Sequence, residues 1–330
     1  MTTTEAARTP RANGAGVDDH GFPQCWYPIA MSSELDRGQV VGREFLGGRV
    51  ICYRGANGRA TVLSAYCRHL GTDLTQGEVV GDNIRCGFHY WEYGQDGRCA
   101  RIPASDRIPD DSALFDFPTA ESLGLVWAFN GGQPTYDVPT FPGADAASLE
   151  VRTGEIGHMP FPHWLATANS MDMQHLEVVH GVPNEVDLDT IDVGPNHIEY
   201  DMVWHDPNFG RIEQHIKDFG SNVVMITGTM AGMELSQFFA GRPTTQDESF
   251  GYITVAVPKA EVQGVDDQTV QQQLDLAEGY ARGLIADDQR ILQGMRFRVD
   301  TLVPADRALS RWLRYLDQIP KANPAAKLIR

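Results

Sequence analysis

A chain of 330 residues, 42% of them hydrophobic and with 6 Trp and 14 Phe among them, is long enough to enclose two domains with cores of their own. Its formal net charge of −17 argues against a nucleic-acid partner, because a phosphate backbone selects the opposite sign. No run approaches the roughly 18 apolar residues of a membrane helix, so no membrane span is expected, and five scattered cysteines make no disulfide framework and suit a reducing, cytoplasmic setting.

Residues 1–20 are polar and without an apolar core; they are expected to form a disordered tail, neither a secretory signal nor an anchor. From residue 21 to 139 the pattern is all-β. Short runs such as Val50-Ile-Cys-Tyr-Arg, Ala60-Thr-Val-Leu-Ser and Leu125-Val-Trp-Ala-Phe are separated by Gly, Asn and Asp, and Gln95-Asp-Gly97 reads as a hairpin turn. Inside this half lie Cys67-Arg-His69 and, sixteen residues on, Cys86-Gly-Phe-His89. Two loops that each carry one thiolate and one imidazole have the donors for a [2Fe–2S] cluster with Cys67 and Cys86 on one iron and His69 and His89 on the other. A Cys2His2 zinc site is the competing arrangement, but zinc sites pair Cys with Cys and His with His. Gly71 and Gly87 are placed to donate backbone N–H groups to the cluster sulfurs. Cys99 is expected to be a small buried strand residue.

The Pro- and Gly-rich passage from Gly131 to Gly143 marks a domain boundary, giving a first domain over 21–139 and a second over 140–330. The second opens on a strand from Leu149 to Met159. A helical stretch follows from Pro162 to His180, bounded by Gly181 and Pro183. Alternating segments between His197 and Val257 read as antiparallel strands. Helices are expected over 267–298 and 306–318. The whole is an α+β chain: an N-terminal all-β domain, then an antiparallel sheet covered by helices.

The second concentration of chemistry is Asp172-x2-His175-x4-His180. Two imidazoles and a carboxylate on one face suit a non-haem Fe(II) centre with open positions for O2. His175 and His180 are about 140° apart on an ideal helix, so a bulge or helix end is expected between them. His158, His163, His197, His205 and His215 have no such company and are read as structural.

Together the two motifs resemble the oxygenase (alpha) component of a Rieske non-haem iron oxygenase, over nearly all of the chain from Gly21 onward. The resemblance implies a helix-grip, START-like catalytic domain. It also implies that Asp172 is not an iron ligand but a bridge, bonded to His175 and to His89 of a neighbouring subunit in a homotrimer, and that Asn169 lies near the iron. The third ligand is then a carboxylate of the late helix, where Asp287-Asp288 resembles the family's acidic pair and Asp288 is the chosen member. The loop from Cys67 to Gly77 resembles the ketosteroid-hydroxylase branch, whereas the late helix resembles the phthalate and demethylase branch. The function implied is monooxygenation, by hydroxylation or oxidative demethylation, of a hydrophobic small molecule. Met225, Met230, Met233, Phe238, Phe239, Tyr280 and Leu284 are the candidate pocket residues. Electrons would come from a separate NAD(P)H-dependent reductase, with or without a ferredoxin, since no nucleotide-binding Gly-rich fingerprint occurs here. Ring dihydroxylation, pure Rieske electron transfer and ligand binding without catalysis are the alternatives.

Overall fold

A computed structural model describes residues 21–143, 145–206, 210–230 and 232–330, with the side chains of all of these but 184 and 185. The expected tail over 1–20 lies outside the described residues. The N-terminal half is built from three small antiparallel sheets. One orders its strands Asp116–Phe117, Ala60–Ser64, Gly48–Arg54, Val40–Phe45; a second runs Thr119–Ser122, Leu125–Phe129, Trp26–Met31. The third is a meander of Glu78–Val80, Asn83–Arg85, Glu92–Tyr93 and Cys99–Arg101. Strand Val40–Phe45 was not among the expected runs: Gly42, Arg43 and Glu44 interrupt its apolar pattern. A Cβ at Gly42 would stand 2.4 Å from the Arg49 guanidinium, so any larger residue there would displace the end of that side chain.

The C-terminal half is one large antiparallel sheet in the order Leu149–Met159, Ser249–Pro258, Met233–Pro243, Val223–Met230, Gly210–Phe219, His197–Asp206, Asn184–Glu185. Alternation divides its side chains between two faces. On one, Met225 opposes Phe238, and both join a buried cluster with Trp26, Trp127 and Phe141 of the N-terminal half. Trp127 meets Phe238 at 5.9 Å between ring centroids. The buried Arg242 donates through Nη1 to the carbonyl of Ile29 and, at 3.1 Å, to the Tyr252 hydroxyl, so a buried cation ties the two halves. Each fully buried large side chain at this junction contributes roughly 1.5–3 kcal/mol.

The other face carries Val224, Ile226, Gln237, Phe239, Ile253 and Val255 and is covered by helices. These are α1 (His163–Asn169), α2 (Met173–His180), the short α3 (Ala260–Gln263), α4 (Asp267–Leu292) and α5 (Arg307–Gln318). Helix α4 is capped by Asp266, whose carboxylate accepts the Thr269 N–H at 2.7 Å, and turns Val270, Leu274, Ala277 and Ala281 inward. It ends at Leu292 rather than at the expected Arg298, with Gly294 just beyond. The single helical stretch expected from Pro162 to His180 is two helices, broken at Ser170–Asp172. Among the described residues no helix is long and apolar enough to cross a membrane.

Candidate cluster site and metal centre

The two Cys–His loops are closed in the same way. Cys67 N–H donates to Thr72 O and Gly71 N–H to Cys67 O, both at 2.9 Å; Cys86 N–H donates to Trp91 O at 2.9 Å and Tyr90 N–H to Cys86 O at 3.1 Å. The fifth residue of each loop takes a left-handed conformation, Gly71 at φ +82° and Tyr90 at φ +57°. Glycine is relaxed there; tyrosine is held there at a cost. Because the Gly71 N–H is committed to a carbonyl, it is not the sulfur donor expected of it. A hydroxyl the sequence did not flag stands at the Cys67 sulfur instead. The Tyr93 hydroxyl accepts the Arg68 N–H at 3.0 Å and lies 3.2 Å from Cys67 Sγ, so its own proton is free to point at the sulfur. Gly87 is needed for close approach: a Cβ there would stand 2.3 Å from Gln76 O.

The thiols of Cys67 and Cys86 are buried and in no disulfide, while His69 and His89 are exposed with ring centroids 4.7 Å apart. His69 stacks on Trp91 at 4.7 Å and an interplanar angle of 6°. Burial pushes the Cys67 thiol up, and bonds from Tyr93 and from the His69 backbone only partly offset this. A buried thiol pair beside an exposed imidazole pair, on two matched loops, has the donor chemistry and the one-sided access that a histidine-ligated iron–sulfur cluster requires.

In the second half, Asp172 caps α2: its carboxylate accepts the His175 N–H at 3.2 Å. This cap explains the helix break, which falls before the histidine pair and not between the two residues. His180 is the last residue of α2, followed by Gly181 at φ +66°. At that end the two rings reach a centroid distance of 4.9 Å. The His175 ring is oriented by the backbone, with Nδ1 donating to the Asp172 carbonyl at 2.8 Å. The Asp172 carboxylate, expected to bond that ring, instead bonds the His175 backbone. With Nδ1 carrying the proton, His175 Nε2 is the lone-pair nitrogen, and it is buried without a hydrogen-bond partner.

Both Nε2 atoms face one oxygen of Asp288, at 3.5 Å from His175 and 3.1 Å from His180. Asp287, its neighbour on α4, is exposed. Burial works against ionisation of Asp288, but the hydrogen bonds and charges of His175 and His180 outweigh it and hold the carboxyl down at about 2. His175 responds in the opposite sense: burial opposes its charge, and Asp288 overrides burial and raises it. Two nitrogens and a carboxylate oxygen within 4.8 Å of one another, one nitrogen orphaned, suit a divalent metal such as Fe(II).

The triad opens into a cavity with an empty volume of about 930 Å3 including its mouth. Met159, Phe161, Met202, Ile226, Phe239 and Leu284 supply much of its apolar lining, and Asn169 is also on the wall. Of the expected pocket residues, Phe238, Phe239 and Leu284 border it, although the Phe238 ring packs behind the sheet. Met225 faces the N-terminal half, and Met230, Met233 and Tyr280 pack in the surrounding core. Gln237 was missed. Only 5% exposed, it presents to this apolar wall an amide whose oxygen has no hydrogen-bond partner. Leaving such a group unmatched costs about 1–3 kcal/mol.

Behind the wall, Asp218 is fully buried, and burial raises its carboxyl well above the usual range against the bond from Ser170. His163, also buried, contacts Ser221 Oγ at 3.1 Å, and burial pushes its imidazole down to about 3. His197 groups with Asp192 and Glu199 within 4.8 Å at the surface, where the Lys217 ammonium already pairs with Glu199 and opposes a cation.

Comparison with known proteins now adds to this geometry. The family model for the Rieske [2Fe-2S] domain matches residues 25–119. A cholesterol 7-desaturase of Xenopus laevis is 35% identical over 176 residues, which span 51% of this chain and 38% of that protein. An aminopyrrolnitrin oxygenase of Pseudomonas fluorescens is 29% identical over 54% of this chain and 52% of its own. The oxygenase component of a Rhodococcus rhodochrous 3-ketosteroid-9-alpha-monooxygenase is 35% identical over 33% of this chain and 28% of its own. The matches thus span about half or less of these relatives' lengths. Among solved structures, dicamba monooxygenase bound to dicamba superposes with a TM-score of 0.74 at 19% identity, covering 91% of this chain and 98% of that one. Pseudomonas putida NdmA with caffeine gives 0.69 at 17% identity, covering 88% and 90%. At such identities these structures establish the fold: an N-terminal β Rieske domain followed by an α+β domain.

Proposed function

We propose that this chain, a member of the Rieske non-haem iron oxygenases by its matched domain and its fold, is a terminal oxygenase that uses O2 and reductase-supplied electrons to monooxygenate a hydrophobic small organic molecule. The observation that carries the reading is the convergence of His175 Nε2, His180 Nε2 and an Asp288 oxygen at an apolar cavity, in a chain that also has a one-electron site. Residues 21–139 form the cluster domain in this reading, with Cys67, His69, Cys86 and His89 as ligands, and 140–330 the catalytic domain, with His175, His180 and Asp288 holding Fe(II). When bound, the ferrous ion supplies O2 activation and the cluster supplies single electrons.

The chain's own residues do the rest. The Asp172 carbonyl fixes the His175 tautomer, so that Nε2 stays available. The apolar lining holds substrate beside the triad and excludes water. Asp172 in addition bridges to His89 of a neighbouring subunit in a homotrimer. The electron donor is a separate NAD(P)H-dependent reductase, through a ferredoxin where needed, and the setting is cytoplasmic. The relatives named for cholesterol and 3-ketosteroids favour a rigid polycyclic substrate, and the oxygen is delivered either as a hydroxylation or as an oxidative demethylation.

The test is turnover of a compound panel with a surrogate reductase, read by mass. Gain of one oxygen or loss of a methyl is the expected result, and gain of two oxygens would assign ring dihydroxylation instead. Absence of substrate-dependent O2 uptake by protein with a reducible cluster would remove the oxygenase reading. Iron at two rather than about three atoms per chain would leave an electron carrier.

A further inference from the structure

We propose that Gln237 is the polar anchor of the cavity, and that it selects neutral, largely apolar ligands carrying one hydroxyl or carbonyl group. Its place in the sheet is the first ground. Gln237 pairs with Ile226 on one side and Val255 on the other, on the face that carries Phe239, and alternation gives these positions apolar residues. A leucine or valine would complete that wall. An amide at 5% exposure with a partnerless oxygen does not serve packing. No other hydrogen bond of its side chain occurs among the described residues.

The second ground is that the other polar groups on the wall either stand on the helix side, as Asn169 on α1 and Gln289 on α4 do, or are already used. Ser170 is bonded to the Thr167 carbonyl at 2.7 Å and to Asp218 at 2.6 Å, the Tyr200 hydroxyl donates to the Ser170 carbonyl, and the histidines face Asp288. Gln237 stands on the sheet side, whereas the triad stands on the helices α2 and α4. A ligand lying across the cavity therefore meets the metal-binding residues on one wall and an amide with both donor and acceptor capacity on the other.

Charge sets the class. Among the described residues no Lys or Arg borders the cavity, and the charged group there apart from the histidines is the Asp288 carboxylate. With Fe(II) on the triad the Asp288 charge would be neutralised, so what disfavours an ionised acid is the sheet side, where its carboxylate would be buried beside Gln237 without a counter-ion. A hydroxyl can both donate to and accept from the amide, and a carbonyl can accept from it. The inference rests on reading the cavity as the substrate site, but not on what chemistry follows there.

The test is anaerobic calorimetric titration of the metal-loaded holoprotein with phenanthrene, 9-hydroxyphenanthrene and phenanthrene-9-carboxylate. The expected order is the hydroxyl compound about tenfold tighter than the hydrocarbon, from one net hydrogen bond, and the carboxylate weakest. In Gln237→Leu the hydroxyl preference falls to about unity while the hydrocarbon binds as well or better. Gln237→Met serves the same purpose with an unbranched chain, and unliganded thermal stability of either variant is expected to equal or exceed that of the parent. An unchanged hydroxyl preference in a folded variant overturns the proposal, as does tight binding of the carboxylate or binding of none of the three. Oxygen uptake with a reductase is recorded separately. A Gln237-dependent preference without uptake keeps the anchor and removes the oxygenase reading, and uptake without the preference does the reverse.

Discussion

His69 and His89 stand with ring centroids 4.7 Å apart, and His175 and His180 stand 4.9 Å apart. The spacing is almost the same; the surroundings are opposite. The first pair is on two loops of a small sheet, exposed, with His69 stacked on Trp91 and His89 in tilted contact with Phe88. The second is on one helix, with side-chain exposures of 13% and 4%, held by the Asp172 carbonyl and facing a carboxylate. Exposed imidazoles on backbone-locked loops suit passage of an electron across a surface. Buried imidazoles sharing a carboxylate beside an apolar cavity suit chemistry on a ligand kept from water. One residue type thus serves two tasks, and the supporting residues decide which.

The largest effect is expected from separating the pairs. His175→Ala should abolish turnover and the mononuclear iron, counted by metal analysis, while the cluster's visible absorption persists. Loss of both signals together would show that the pairs are not independent sites. Asp172 is the next lever, because it acts through structure and, in the proposed assembly, between subunits. Asp172→Asn keeps a good N-cap, whereas Asp172→Ala loses about 1 kcal/mol of cap stability. Both are expected to retain iron and cluster and to lower coupled turnover by roughly 100-fold. Wild-type turnover in the Asn variant would remove the bridging role.

The two pairs were unequally legible in the sequence. The cluster loops are local: Cys-x-His and Cys-x2-His are each closed by bonds within one loop, so spacing alone carries the chemistry. The metal triad is not local. Asp288 lies over one hundred residues from His180 and reaches it only when α4 packs across the sheet. Resemblance to a family supplied that residue; periodicity could not. The helix break was anticipated from the 5-residue spacing but misplaced, because the cap by Asp172 and the reach of His180 at a helix end depend on side-chain geometry. Gln237 was overlooked because a lone Gln in a strand is ordinarily a solvent-facing residue. Its meaning comes from the apolar character of its cross-strand partners, Ile226 and Val255, which a linear reading does not bring together. Tyr93 was missed for the same reason: its hydroxyl acts on Cys67, twenty-six positions away.

That contact offers a finer test of the exposed pair. A hydrogen bond to a ligating sulfur favours the more negative, reduced cluster and raises its potential. Tyr93→Phe removes one donor without changing the ring, and should lower the midpoint on the order of 50 mV, the equivalent of a bond near 1 kcal/mol for one electron. Potentiometric titration followed by visible absorption reads it. An unchanged midpoint would mean that the hydroxyl serves only the Arg68 N–H.

The smallest expected effect concerns the buried half and its pH response. Ser170 has one hydroxyl proton but faces two acceptors, the Thr167 carbonyl at 2.7 Å and Asp218 Oδ2 at 2.6 Å. A protonated Asp218 resolves the conflict by donating to Ser170, in agreement with the upward push of burial on its carboxyl. A group whose pKa is raised by folding stabilises fully below its unfolded value near 4, and that stability is lost as pH rises through the folded value. His163 has the other sign: held down at about 3 by burial, it favours folding above about 6.5 and loses that contribution as pH falls. The two slopes oppose each other where they overlap between about pH 4 and 6.5, so the Asp218 contribution is read as the difference between parent and Asn variant and not from the parent's slope alone. Asp218→Asn, neutral at every pH and able to donate to Ser170, should flatten the decline of thermal stability on the alkaline side and leave the acid limb to His163. An equally steep alkaline decline in the Asn variant would mean that Asp218 is ionised in the folded protein, and that Ser170 turns its proton from the helix carbonyl to the carboxylate.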